Sequence, residues 1–431
     1  MIAPVPEPGP AERPTGAARG HLARHGRAMA GVLVVSGVGV LSTAAFQLTV
    51  IRGLGPSGYG LLASFLALIN VASVGSTALR NSVAVVAAHG RTAEPVDRGE
   101  RRRLDGSTVE ALVLGAVCTV GVVVASPLLD GASGTSGMAV AFVALTVAPY
   151  FLFARAQGLL QGTGRARAVV FWTTGVQLAQ LALSLAALTL GLAAVGVLSV
   201  LLLTSVAAAA GSGVQVRRLG LATAGRAFTA DTVVVMALTI AFTWLISMDV
   251  VLVRSYVDDD VAGAYAAAAT VVKTVLIVPT TLSLYLLPRF VARRRDASLT
   301  RLGVGVVLGT SLAGAVVMVG AVVVLGDLVA SIFGAGYART GELLPMLALS
   351  YVPWAMAQGL LIPVTAASSR TGVGVLVGLA VAQWVLGSLA LPSVETFVAV
   401  NGGVGAAALV GLLLVQAGRV GREARAGAGS G

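Results

Sequence analysis

Charged residues are scarce in this sequence, and their scarcity excludes a water-soluble domain. Only 11% of the 431 residues are Asp, Glu, Lys or Arg, whereas soluble domains carry roughly 25%. Hydrophobic residues make up 57% of the chain. Because so few charged residues cannot cover the surface of a protein of this size with polar groups, most of the surface must face lipid. The sequence therefore predicts an integral membrane protein.

Residues that build enzyme and metal sites are also rare. The single cysteine, Cys118, excludes an internal disulfide. The three histidines, His21, His25 and His89, lie in polar segments, which excludes a His-based triad or metal cluster within the spans. No GxxxxGK[ST] motif supplies a site for ATP, and no loop is long enough to hold a catalytic domain. We therefore expect no cofactor, no metal and no enzymatic activity; Asp258–Asp260 is interpreted as a solvated turn, with a cation site as the alternative.

Long apolar runs fill most of the chain. Each run can cross a bilayer, which takes about 20 helical residues. The first run is longer than the roughly 7–15 residues of a signal-peptide core, so we interpret it as a transmembrane helix. The twelve runs lie near 29–51, 59–79, 109–129, 138–157, 168–189, 193–214, 232–254, 262–287, 303–325, 342–362, 373–392 and 397–416. They predict an all-α polytopic membrane protein.

Basic residues are distributed unevenly between the two sides of these spans. If both termini are cytoplasmic, about 23 of the 29 Lys and Arg lie in cytoplasmic segments, as the positive-inside rule requires. The basic excess is then a topology signal, and we expect no nucleic-acid binding. We expect a multi-pass protein of the cytoplasmic (inner) membrane. The remaining basic residues are Arg52, Arg254 and Arg339 on the outside, and Arg80, Arg155 and Lys273 within spans.

Two sequence echoes predict an internal repeat. The tetrapeptide QGLL closes the fourth span at Gln157–Leu160 and the tenth span at Gln358–Leu361. Arg52 and Arg254 end the first and seventh spans at almost the same interval. Matches at equivalent points predict two six-helix lobes arranged as parallel repeats. The predicted domains are a disordered cytoplasmic tail 1–28, lobes 29–218 and 229–416, and a tail 417–431.

Polar residues form stripes inside several spans. A polar group facing lipid is costly, so such stripes should face a cavity or another helix. Isolated Ser or Thr residues have an alternative, because they bond carbonyls of their own helix. Stripes with amides or charges favour a water-accessible cavity. The two clearest stripes are Asn70, Ser73, Thr77 and Arg80, and Thr173, Gln177, Gln180 and Ser184.

Lys273 lies deepest of the basic residues. It is about 16 Å into its span, judged by the rise of an α-helix, where an unpaired ammonium costs at least ~2.5–3.5 kcal/mol. Two interpretations stay open: a structural ion pair with Asp249, or an anion site in a central cavity. Arg80 and Arg155 lie nearer the predicted cytoplasmic ends, where their side chains either bind a ligand or reach the interface. Arg52 is interpreted as a membrane anchor, with a ligand role as the alternative.

Several motifs resemble those of polysaccharide-exporting flippases. Ile51–Gly60 resembles the R-x-L-G-P-x-x-Y-G signature of the Wzx-like branch of the multidrug/oligosaccharidyl-lipid/polysaccharide (MOP) superfamily. Gly162–Arg165 resembles the G-x-G-R turn of that family, and Asp249 followed by Val261–Tyr265 resembles its D…(A)VGxY segment. Pro288-Arg289 matches as well. The resemblance covers roughly residues 30–415 and weakens after about residue 300.

The resemblance implies two six-helix lobes with alternating access and a polyprenyl-diphosphate-linked oligosaccharide as substrate. A diphosphate needs positive charge to replace its lost hydration, while the prenyl tail stays in lipid. The implied partners are membrane lipids and a polysaccharide polymerase or glycosyltransferases. The candidate head-group ligands are Lys273 and Arg80, then Arg155 and Arg52; Asn70, Gln177 and Gln180 are candidates for sugar hydroxyls, and Asp249 for an ion pair or coupling.

Three other functions stay open. A cation-coupled drug or metabolite exporter of the multidrug branch would need titratable carboxylates in a lobe core. The first lobe offers none beyond Glu110, at the end of a span. A membrane-embedded glycosyltransferase or polymerase would need acidic residues on a large outer loop, which the sequence lacks. A transport-inactive scaffold is the third alternative.

Overall fold

The computed structural model of the protein describes residues 15–90, 105–125, 136–223, 226–292, 297–333 and 338–428. All regular elements within these ranges are helices. They are α1 (Thr15–Gly90), α2 (Gly106–Ala125), α3 (Ser136–Gly162), α4 (Ala166–Thr189), α5 (Ala193–Arg218), α6 (Ala230–Tyr256), α7 (Asp259–Val272), α8 (Ile277–Ala292), α9 (Ala297–Phe333), α10 (Ala338–Ser350), α11 (Val352–Ala366), α12 (Arg370–Ala390) and α13 (Val394–Ala428). A 3-10 turn, Lys273–Leu276, joins α7 to α8.

The described helices provide 11 candidate membrane spans, or 12 if the bent pair α10–α11 counts as one. Helix α1 contains two of them, Gly31–Leu54 and Leu68–Gly90, and α7 with α8 forms one, Asp260–Ala292. Many Val and Leu side chains are exposed on the outer surface, including Val124, Val317 and Leu389. A helix that is apolar all round is typical of a membrane span. The predicted all-α polytopic membrane fold is thus confirmed.

Helix α1 differs from the prediction of two helices with a loop between them. Its backbone is helical from Thr15 to Gly90. Thr43 and Arg80 nevertheless line the same cavity, whereas a straight helix would separate them by about 55 Å. Helix α1 must therefore turn back between its two spans. The sequence there contains Pro56, which lacks the N–H that a helical hydrogen bond needs.

The predicted tails are partly helical. Helix α1 begins at Thr15, inside the segment 1–28 that we predicted to be disordered, and α13 continues to Ala428, past residue 416. Both extensions are rich in Ala and Arg, which have high helix propensity. Residues 1–14 and 429–431, and most of the charged loop near 89–108, lie outside the described residues. The limits of the two lobes stay predictions.

Buried apolar side chains form one large cluster in each half of the chain. The cluster of α1–α5 includes Phe65, Phe151 and Leu159, and it also receives Met236 and Leu284 from the second half. The cluster of α6–α13 includes Tyr265 and Trp354, both fully buried. We call α1–α5 the N-half and α6–α13 the C-half.

A third apolar cluster joins the halves, and we call it the linker-side seam. Its α1 members are Ala84, Val85 and Ala88. Its C-half members are Val235, Leu282, Leu287, Phe290, Val291, Val307, Ile362 and Ala366. These residues lie toward the helix ends nearest the connection between α5 and α6, residues 219–229, which we call the linker. Apolar contacts therefore join the halves near the linker.

Candidate functional site

A cavity of about 400 Å³ lies within the N-half. Five amide side chains line it, so we call it the amide cavity: Gln47, Asn70, Gln157, Gln177 and Gln180. Arg80, Tyr150 and several Ser and Thr residues complete the polar lining. A volume of this size falls within the roughly 300–1,000 Å³ of small-molecule sites.

The amides of this cavity are only partly engaged by the protein. Gln157 donates to Thr173 Oγ1 at 2.8 Å, and Gln180 donates to Thr204 Oγ1 at 3.3 Å. The side chains of Gln47, Asn70 and Gln177 make no hydrogen bond to another described residue. In contrast, the cavity hydroxyls mostly bond carbonyls of their own helices, among them Thr43, Ser73, Ser76, Thr146, Thr173 and Ser205. The unbonded amides therefore remain available to a ligand.

The position of Gln177 depends on a glycine in the facing helix. Gln177 Oε1 occupies the place where a Cβ on Gly39 of α1 would stand. One turn earlier in α4, Thr174 Oγ1 donates to the carbonyl of Val35 at 3.1 Å. Helices α1 and α4 thus meet closely, and the lack of a side chain at Gly39 lets the Gln177 amide enter the cavity.

A second cavity, of about 290 Å³, lies between the halves, and we call it the central cavity. Its N-half lining includes Ser73, Thr77, Arg80 and Asn81, and its C-half lining includes Thr239, Thr243, Thr280, Ser283 and Gln358. Asn81 donates to Thr239 Oγ1 at 3.2 Å, and Gln161 donates to the carbonyl of Ser283 at 3.3 Å. Ser73, Thr77 and Arg80 line both cavities. The face of α1 that carries them is therefore the wall between the two.

Arg80 is the charged group at this wall. Its Nε is buried and has no hydrogen-bond partner in the described structure. The two ion pairs found among the described residues are Arg155–Asp105 and Lys273–Asp249, so Arg80 has no carboxylate partner there. Helix α3 supports its backbone, because a Cβ at Gly158 would stand 2.6 Å from the Arg80 carbonyl oxygen. Gly158 and Gly162 form a GxxxG pair, which lets two membrane helices approach closely.

Lys273 forms an ion pair with Asp249. Lys273 Nζ lies 2.7 Å from Asp249 Oδ1. Asp249 is fully buried, and its Oδ2 accepts hydrogen bonds from Tyr351 at 2.6 Å and Tyr265 at 3.2 Å. A buried carboxylate is tolerated when it is paired and hydrogen-bonded in this way. The pair carries no net charge, and neither member lines the amide cavity or the central cavity.

Lys273 nevertheless remains partly accessible, since 24% of its side chain is exposed. Thr280, seven residues later in the chain, lines the central cavity. Lys273 is also the first residue of the 3-10 turn inside its span. Such a turn in the middle of a helix often marks a hinge.

Arg155 is engaged by Asp105. Arg155 Nη2 lies 2.6 Å from Asp105 Oδ2, and Arg155 Nε donates to Ser107 Oγ at 2.9 Å. Thr223 of the linker donates to Asp105 Oδ1. Burial by itself would raise the pKa of Asp105, but the hydrogen bonds from Thr223, Arg155 and Ser107 and the charge of Arg155 bring that pKa below its ordinary value. These four residues, which we call the linker clamp, tie α2 and α3 to the linker.

The structure thus separates the predicted site residues into groups. Arg80, Asn70, Gln177 and Gln180 line one cavity. Lys273 and Asp249 pair within the C-half, and Arg155 lies in the linker clamp. Arg52 is exposed at the end of the first span and lines neither cavity. Among the described residues, no three His, Cys, Asp or Glu side chains are placed to hold a metal ion.

Sequence reasoning missed several polar residues of the cavities, among them Gln47, Asn81, Tyr150 and Gln157. Gln157 and Gln358 both belong to the QGLL echo, and each faces a cavity, donating to Thr173 and Thr280 respectively. The amide in each tetrapeptide was therefore an available signal. Gln47 is a lone amide in an apolar run, which gave the same kind of signal more weakly.

No family model and no curated protein matches this chain, but several solved structures do. MATE in complex with MaD3S superposes with a TM-score of 0.74 at 15% identity, covering 92% of this chain and 95% of that chain. An outward-facing multidrug resistance MATE family transporter of the MOP superfamily gives 0.64 at 15% identity, covering 92% and 95%. A MOP superfamily transporter from Pyrococcus furiosus, described as having a binding pocket of reverse polarity, gives 0.65 at 13% identity, covering 92% and 94%. The chain therefore has the fold of the MATE transporters of the MOP superfamily.

Proposed function

We propose that this protein is a flippase that carries a polyprenyl-diphosphate-linked oligosaccharide across the cytoplasmic membrane by alternating access, for cell-surface polysaccharide biosynthesis. The observation that carries the proposal is the guanidinium of Arg80, which has no carboxylate partner in the described structure and stands between two polar cavities. A guanidinium forms paired hydrogen bonds to phosphate oxygens. Arg80 is therefore the proposed ligand of the diphosphate.

The charge of the cavity linings supports an anionic cargo. Among the described residues, the amide cavity and the central cavity contain no Asp or Glu in their linings. Arg80 is their one Lys or Arg, so both linings carry net positive charge. An anionic head group gains from such a site, whereas a cationic drug would be repelled.

The contacts between the halves support alternating access. The linker-side seam consists of apolar side chains, and the polar central cavity lies directly beyond it. The basic residues lead us to expect the linker side in the cytoplasm. In this arrangement the head group would be shielded from the cytoplasm, and movement of the halves would have to open the seam to admit cargo.

The other predicted ligands take different roles in this proposal. Lys273 is held by Asp249, so it would reach a head group only by exchanging that carboxylate for a phosphate. Arg155 would hold the linker through Asp105. Arg52 would anchor the end of its span at the membrane surface. A polymerase or glycosyltransferases remain the proposed protein partners.

A cation-coupled drug exporter is the second candidate. One structure with this fold is described as a multidrug resistance transporter, which favours this alternative. The described linings of both cavities contain no carboxylate, which disfavours it. The description of the Pyrococcus furiosus protein links a reversed pocket polarity to a different function of that protein. We propose that the arginine-bearing pocket of this chain likewise serves a cargo other than a cationic drug.

A flipping assay in vesicles tests the proposal. The purified protein is reconstituted into phosphatidylethanolamine–phosphatidylglycerol vesicles with a fluorescent polyprenyl-diphosphate oligosaccharide, and quenching by an external reductant reports the accessible fraction. We expect Arg80→Gln to slow flipping by roughly 10–100-fold, because a hydrogen bond to a charged group contributes about 1.5–3 kcal/mol. The matched control Arg254→Gln changes an exposed arginine at the end of another span and should flip normally.

Two results would contradict the proposal. Wild-type flipping by Arg80→Gln would remove Arg80 as the ligand. Failure of the wild-type protein to flip the glycolipid, together with uptake of a cationic dye driven by an ion gradient, would favour the exporter.

A further inference from the structure

The amide cavity presents groups that suit hydroxyl-bearing ligands. Gln47, Asn70 and Gln177 keep both ends of their amides free of other described side chains, and Gln157 and Gln180 each use only the NH2 group. An amide both donates and accepts hydrogen bonds. A sugar hydroxyl does the same, so each amide can either donate a hydrogen bond to a sugar hydroxyl or accept one from it.

Away from Arg80, the described lining of the same cavity offers no cationic partner for a carboxylate. In its described lining the one cationic side chain is Arg80, at the wall with the central cavity. Asn70 precedes Arg80 by nearly three turns of α1, or about 15 Å. A carboxylate next to Asn70 or Gln177 would therefore lose hydration without gaining an ion pair, and an unpaired charge in such a place is strongly disfavoured.

Aromatic side chains supply the remaining complementarity. Phe46, Phe65, Tyr150 and Phe153 line the cavity beside the amides. Phe46 and Phe65 are buried, so their positions are fixed by packing. Flat apolar faces of this kind fit the C–H faces of sugar rings, while the amides bond the hydroxyl edges.

We infer that the amide cavity selects uncharged, hydroxyl-rich sugars adjacent to the diphosphate and discriminates against acidic sugars. The inference rests on the proposed function and names the substrate class for it. Arg80 binds the diphosphate, and the amides of Asn70, Gln177 and their neighbours bind the first sugars. Gly39 takes part by leaving room for the Gln177 amide.

Three synthetic lipids that share one polyprenyl diphosphate test this inference. The first carries no sugar, the second carries a hexose, and the third carries the corresponding hexuronate, in which the hydroxymethyl group is a carboxylate. Binding to the purified full-length protein in nanodiscs is measured by competition with a fluorescent lipid. We expect the hexose lipid to bind roughly tenfold tighter than the other two, since two or three new hydrogen bonds amount to about one decade in affinity.

Variants of the cavity sharpen the test. Gln177→Ala should reduce the advantage of the hexose lipid severalfold and leave the sugar-free lipid unchanged. Gly39→Ala, which displaces the Gln177 amide without removing it, should have the same effect. Gln177→Lys should reverse the preference toward the hexuronate lipid, and such a gain of binding cannot result from misfolding.

The outcomes separate the inference from the proposed function. If the hexuronate lipid binds with an affinity within twofold of the hexose lipid, and Arg80→Gln still weakens the binding of all three lipids, then the sugar selectivity alone is overturned. A wild-type protein that binds none of the three lipids would overturn the proposed function. An unchanged preference in Gln177→Lys would remove Gln177 from the sugar site.

Discussion

Replacing Lys273 by Met, which keeps the bulk of the side chain and removes its charge, should destabilise the C-half. The ammonium is the one cationic group that the described structure places on Asp249. Without it, a fully buried carboxylate keeps only the hydroxyl groups of Tyr265 and Tyr351. Removing one partner of a buried ion pair costs about 3–5 kcal/mol, because the other charge stays in a medium of low dielectric.

The two members of the pair should differ in their effects. Asp249→Asn leaves the lysine unpaired, but 24% of that side chain is exposed, so water can solvate the ammonium. The cost should then be nearer that of a lost charged hydrogen bond, about 1.5–3 kcal/mol. The double variant Asp249→Asn/Lys273→Met contains no charge and should be more stable than Lys273→Met alone. A coupling energy of roughly 2 kcal/mol is expected from this cycle.

Thermal unfolding in detergent measures the cycle. Because the single cysteine, Cys118, lies in α2 of the N-half, unfolding is followed by the loss of helical circular dichroism. Lys273→Met should unfold at the lowest temperature of the four proteins, and the double variant should recover part of the loss. If Lys273→Met is as stable as the wild type, or if the double variant is the least stable, then the ion pair does not hold the C-half together and Lys273 must be explained otherwise.

Three further predictions concern the rest of the molecule. The pKa of Asp105 is lowered on folding, so the linker clamp stabilises the protein at pH values above the ordinary carboxyl pKa, and this stability is lost as the pH falls through the lower pKa of the folded state. The difference in unfolding temperature between the wild type and Asp105→Asn should therefore shrink at acidic pH. A difference that grows on acidification would contradict this prediction. Gly162→Ala should lower the free energy of unfolding by about 1–3 kcal/mol, because its Cβ would overlap the carbonyl of Ala84. The control Gly213→Ala meets open space and should be neutral. Equal unfolding temperatures for the two variants would contradict the close packing of α3. In a Cys118→Ala background, an impermeant thiol reagent should label Arg52→Cys and Ser133→Cys in intact cells but Arg101→Cys only after permeabilisation, and the opposite pattern would invert the topology.

The membrane fold could be read from the sequence because its cause is local. A bilayer requires runs of about 20 apolar residues, and such runs are visible without knowledge of their neighbours. The polar stripes follow the same reasoning, and the structure places Asn70, Gln177, Gln180 and Arg80 on one cavity. The helical course of α1 through the predicted loop was not foreseen, since Gly and Pro residues there indicated a break.

The pairing of charges could not be read in the same way. For Lys273 the sequence named Asp249 as one of two alternatives, and only the packing of α6 against α7 shows that this pair forms. Arg155 and Arg80 have similar positions in their spans, yet one meets Asp105 and the other has no carboxylate partner in the described structure. That difference arises because Asp105 precedes α2 and meets α3 only after folding. Sequence spacing contains no information on such distant contacts.

In the proposed alternating-access cycle, the linker-side seam affects the order of the steps. Separating its alanine, valine and phenylalanine side chains exposes apolar area to water, at roughly 25 cal/mol for each Å². An empty carrier gains no compensating contacts, so its return toward the linker side should be the slow step. Cargo bound on the far side would speed that return. We therefore expect labelled cargo to exchange for unlabelled cargo across the membrane faster than cargo is transferred in one direction. If a counterflow assay gives the same rate for exchange and for net transfer, then opening of the seam does not limit the cycle.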